Sequence, residues 1–166
     1  MPSGRQHGEE DMEMNENTAI TAEGYDKIDG RNAYKSGIKK LTLGKPMLEE
    51  NQSAQIAAQI WKEDSGKLVM EMELPVHRIL DLMIFLSRTL LYFREAYRLP
   101  LLYDPEKPSV ERIGLQGGVM PVSVCTDNPD INDDMQLFLQ SINDSGEIIG
   151  ERLRVISRIL EELEYL

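Results

Sequence analysis

Four ionisable side chains, His77, Asp81, Arg88 and Glu95, follow one another at spacings of four and seven residues. At about 100° per residue a helix gathers them into an arc of about 40°. A histidine one turn from a carboxylate is a usable general base, and four such groups in line could border a cleft. The plainer alternative is a solvent-facing stripe with ion pairs one turn apart. These four residues are the leading candidate site. Arg94 and Arg98 fall with Ser87 on another side of the same helix, and guanidinium groups at i and i+4 repel unless negative charge intervenes. Residues 126–147 hold Asp127, Asp130, Asp133, Asp134, Asp144 and Glu147 with neither Lys nor Arg. Pairing within the chain is therefore expected for Arg94 and Arg98, with binding of an external phosphate or carboxylate as the alternative.

Other chemistries find less support. Cys125 would need His77 beside it to act as a nucleophile; set among Val122, Val124 and Thr126, it reads better as a buried, inert thiol. Asp130-Ile-Asn132-Asp-Asp134 opens like a calcium loop, but Met135 stands where the turn glycine belongs and Ser141 where the closing glutamate belongs. Helix capping is the better use of those residues. His7, His77 and Cys125 cannot supply the four nitrogen and sulfur ligands of structural zinc. Gly114-Leu-Gln-Gly-Gly118 lacks the Lys and Ser/Thr of a phosphate-binding loop and reads as a turn, and no nucleophile elbow or dinucleotide fingerprint occurs. Neither a metal nor a cofactor is expected, and the reading leans away from an enzyme.

The elements that must position these residues follow from periodicity. Pro75 suits the first turn of a helix that runs to Arg98 before Pro100, with Ile79, Leu82, Met83, Leu86, Leu90, Phe93 and Tyr97 on its core face. Before it, Ala54, Ile56, Ala58 and Ile60 share one parity, as do Leu68, Met70, Met72 and Leu74. Two strands joined by Asp64-Ser65-Gly66 result, with Ile60 opposite Met70, Ala58 opposite Met72 and Ile56 opposite Leu74. Residues 38–43 suggest a third strand at the edge, guarded by lysines. Residues 99–130 read as a long ordered connection, with strand character only over 119–126, that would contribute to any site. Asp130, Asn132 or Asp133 can cap the next helix, and Asp144 with Glu147 resembles a capping box for the last one. There Ile149, Leu153, Ile156, Leu160 and Leu163 alternate spacings of four and three. This is either an ordinary amphipathic face or a short self-association seam.

The expected class is α+β: a small antiparallel sheet, a hairpin plus a possible third strand, packed against a long central helix and two C-terminal helices. A chain of 166 residues fits one domain over 25–166, preceded by a flexible acidic tail over 1–24 in which Met12 and Met14 are alternative starts. A net charge of -11 argues against nucleic acid as a partner. The single cysteine and the lack of an export leader point to a reducing, cytoplasmic location. The apolar run from Ile79 to Phe93 is interrupted by Asp81 and Arg88 and is shorter than the roughly 18 residues of a span, so no membrane association is expected.

The segments YDKIDGR (25–31), ELPVHRILDL (73–82), YFREAYRLPLLYDPE (92–106) and ERIGLQGGVMPVSVCTDN (111–128) are similar to a small, uncharacterised bacterial protein family. The resemblance spans most of the chain after the tail. It implies a bacterial cytosolic origin and brings no activity, cofactor or catalytic residue with it. The reading of the residues favours a non-catalytic protein-binding or regulatory domain, with a protein partner or a homodimer through the C-terminal helix. The alternative is a small enzyme or anion-binding protein with its site on the central helix and the 99–130 loop.

Overall fold

The computed structural model describes residues 17–28 and 37–166. Its architecture is α+β, and it divides between Leu82 and Met83 into two compact units. In the N-terminal unit β1 (Thr18–Ala22), β2 (Ile38–Gly44), β3 (Ala57–Asp64) and β4 (Lys67–Pro75) form one antiparallel sheet in that order. The hairpin of β3 and β4 is the one read from alternation, with a tighter turn. Asp64 pairs with Lys67, and Ser65 and Gly66 have φ of 53° and 80°, as a two-residue type I′ turn requires. A bulge lies further along, where Glu71 is the extra residue between the pairs Trp61–Met70 and Ile60–Met72. Ile60 therefore faces Met72, and Ala58 faces Leu74, two residues from the expected register. Parity is kept, so the apolar sets still share a face.

Two expectations change here. β2 is an inner strand, because β1 pairs with it on the side away from β3. Lys39 reaches Asp26 at 3.0 Å and Lys40 reaches Glu23 at 3.2 Å, so the lysines are paired and do not guard an edge. β1 is drawn from the end of the segment read as an acidic tail; residues 1–16, with His7, Met12 and Met14, lie outside the described residues, as do 29–36.

The second change is in which face of β3 is covered. Ala57, Gln59 and Trp61 are buried, while Ile56 is exposed and Ala58 and Ile60 are partly covered. The covered face is held by polar side chains. Trp61 Nε1 donates to Thr42 Oγ1 at 2.8 Å, Thr42 donates to Gln59 Oε1 at 2.8 Å, and Gln59 Nε2 donates to Glu73 Oε2 at 3.0 Å. Glu73 also accepts from the Met47 and Leu48 amides at 2.8 and 2.9 Å and from Asn51 Nδ2 at 3.1 Å. Burial pushes the Glu73 carboxyl up, but the donors of Gln59, Leu48, Met47 and Asn51 outweigh it and hold the carboxyl below its ordinary value.

The helix α1 (Val76–Ala96) follows Pro75 directly, and Pro75 itself closes β4 opposite Ala57. In the C-terminal unit α1 buries Phe93 and Ala96 against Leu102, Tyr103, Val124 and Met135. Of the expected core face, Ile79, Leu82, Leu86 and Tyr97 are exposed. Tyr92 donates to the Leu102 carbonyl and Tyr103 to Asn132, fixing the chain that leaves α1. Nearly half of the 99–130 connection is a second hairpin, β5 (Ser109–Leu115) with β6 (Gly118–Ser123), turned at Gln116-Gly117 with both φ positive. The helices α2 (Ile131–Asp144) and α3 (Gly146–Glu162) follow, broken at Ser145. The N-cap residues are Asp130 and Ser145, and neither makes a side-chain capping hydrogen bond. Asn128 instead steadies the start of α2, accepting from the Asp130 amide and donating to Asp134. Among the described residues no helix is long and apolar enough to cross a membrane.

Candidate functional site

Within the C-terminal unit, Met83, Ile84, Ser87, Arg88 and Leu91 of α1 face Glu111, Arg112 and Ile113 of β5 across an open hollow of about 560 Å³. The α1 residues recur at one-turn spacing, so the wall is one helix face. Arg88 Nη2 and Glu111 Oε2 form an ion pair at 2.6 Å. The Nε of Arg88 is buried and has no acceptor among the described residues. A second hollow of about 360 Å³ runs along the adjoining face, lined by Arg88, Leu91, Tyr92, Glu95, Ala96 and Leu99.

The structure thus gathers half of the predicted stripe. Arg88 and Glu95 border one hollow, and the 99–130 segment supplies the opposite wall of the other, through Glu111 and Arg112. His77 is exposed in the first turn of α1, and Asp81 pairs with Arg78 at 3.1 Å. The expected internal pairing of Arg94 and Arg98 is not found among the described residues: both are exposed, and Arg98 stacks on Tyr97 at 5.6 Å. Cys125 is exposed, correcting the buried thiol. No group of three or more His, Cys, Asp or Glu among the described residues is placed to hold a metal ion. Glu111 and Arg112 escaped the sequence reading because β5 has no apolar alternation; its bulge between Ser109 and Glu111 breaks the pattern.

The apolar face of α3 is the unit's other distinctive surface. No residue of this 17-residue helix is buried, and Val155, Ile156, Ile159 and Leu163 stand exposed within about 100° of arc. Of the expected seam, Ile149, Leu153 and Leu160 are partly covered.

The model of a family of unknown function, DUF6530, matches residues 10–165, and the chain belongs to that family. No curated protein and no solved structure matches the chain.

Proposed function

We propose that this family member is a non-catalytic protein-binding domain, that the apolar face of α3 is its binding surface, and that a second copy of the chain is the partner. A helix with no buried side chain that exposes Val155, Ile156, Ile159 and Leu163 on one face carries the reading. Covering such a face removes apolar area from water. Charge order favours self-pairing: Arg154 and Arg158 precede Glu161 and Glu162. Antiparallel copies bring the basic block of one against the acidic block of the other, whereas parallel copies set like against like. At about 25 Å long, α3 covers less than a standard interface, so association is concentration-dependent. An exposed Cys125 suits a reducing compartment, and with the resemblance above it supports the cytoplasm of a bacterium.

Sedimentation velocity of the full chain over a wide concentration range tests this. A monomer–dimer equilibrium is expected, abolished by Ile159→Glu with an unchanged circular dichroism spectrum. A wild-type mass that stays monomeric at every concentration, or an Ile159→Glu protein that still dimerises, would overturn it.

A further inference from the structure

We infer that residues 45–56 form a lid on the four-stranded sheet, clasped shut by Glu73 and able to open while every strand stays paired. Gly44 and Ala57 are partners in the β2–β3 ladder, so the chain leaves the sheet and returns to it at one point, as in a loop whose ends meet. Inside the loop the bonds are local. The Asn51 amide donates to the Leu48 carbonyl, Gln52 to Glu49 and Ala54 to Asn51, at 3.0, 3.2 and 3.0 Å. The loop thereby keeps a shape of its own.

Its attachment is concentrated on one residue. Among the described residues, every hydrogen bond from residues 46–56 to the sheet ends on Glu73: the Met47 and Leu48 amides and Asn51 Nδ2 on its carboxylate, and Asn51 Nδ2 also on its carbonyl at 3.3 Å. Glu73 stands on β4 opposite Gln59, so the loop reaches across β3 to its clasp. Gln59 holds only the root of the loop, donating to the Lys45 carbonyl at 3.2 Å. Releasing Glu73 unpairs no strand, because the Gly44–Ala57 pair closes the sheet behind the loop. A segment so attached opens at a lower free energy than the strands beneath it. Opening uncovers Gln59 and Glu73, which are 1% and 5% exposed when the lid is shut, and frees the carboxylate to accept donors from another molecule.

Native-state hydrogen exchange of the full chain reads the lid at the Met47 and Leu48 amides, which donate to the clasp. In the wild type both should exchange at least about 10-fold faster than the amides of β3, at a rate that low urea leaves unchanged, as local opening requires. In Glu73→Gln, which keeps the side chain's shape and removes its charge, both should exchange about 10-fold or more faster than in the wild type while the β3 amides stay protected. Loop amides that exchange in step with β3 in the wild type would make the loop part of the sheet's own unfolding and overturn the lid, and this comparison needs no variant to fold. Protection of Met47 and Leu48 that survives in Glu73→Gln would place the clasp elsewhere and overturn it too.

Discussion

Each unit buries part of a charged side chain, and the two do so in opposite ways. Glu73 is almost wholly covered, and every donor that reaches it is neutral: two backbone amides, Asn51 and Gln59. Its valence is closed by its own unit, and its effect is to tie the 45–51 segment to the sheet. Arg88 is about a third exposed, is matched by one carboxylate, and keeps a buried donor without an acceptor. A closed polar network specifies a fold, whereas a partly exposed ion pair contributes little. On this difference we read the first as the structural anchor of its unit and the second as of small weight for stability.

The largest test of the comparison is Glu73→Ala. It strands two amides and two side-chain donors in a buried place, and should cost about 3 kcal/mol or more in urea denaturation. A loss below about 1 kcal/mol would mean that water takes over the donors and the network is not closed. Acid comes next. Because the folded carboxyl of Glu73 is held below its ordinary value, its stabilisation is fully present above the ordinary carboxylate range and is lost as pH falls through the folded value. The denaturation midpoint of wild type should therefore fall more steeply in acid than that of Glu73→Gln; parallel curves would show that the carboxylate gains nothing from its donors. The smallest effect is expected at Arg88→Met, whose partly exposed pair with Glu111 should be worth less than about 1 kcal/mol to stability. A loss as large as that of Glu73→Ala would make Arg88 a structural residue and dissolve the contrast.

The parts legible in the sequence are those whose signal is local. Period-two alternation and the Asp64-Ser65-Gly66 connection announced the β3–β4 hairpin, and helical spacing announced α1, α2 and α3. The rest depends on partners distant in sequence. β1 looked like tail because its neighbours are acidic, yet pairing with β2 is what makes it a strand. A Cβ on Gly44 at the end of β2 would strike the Asn17 carbonyl, which shows how closely the two strands approach there. Alternation gives two faces without saying which is covered, so Ala58 and Ile60 drew attention that belonged to Gln59 and Trp61. Glu73 carries no local mark: its donors lie 14 to 26 residues away. Arg88 was legible from its place on the helix, but its partner Glu111 was not, because β5 has no clean period.

The pairing of α3 with a second copy is tested most directly by the distance between spin labels. With Cys125→Ser as background and Tyr165→Cys labelled at the exposed end of the chain, pulsed dipolar spectroscopy reads the separation across the dimer. Antiparallel helices crossing near Ile159 hold the two labels about 20 Å apart, and that is the predicted result. A separation near 10 Å, as for parallel helices in contact, or no dipolar signal at concentrations where the protein sediments as a dimer, would contradict it.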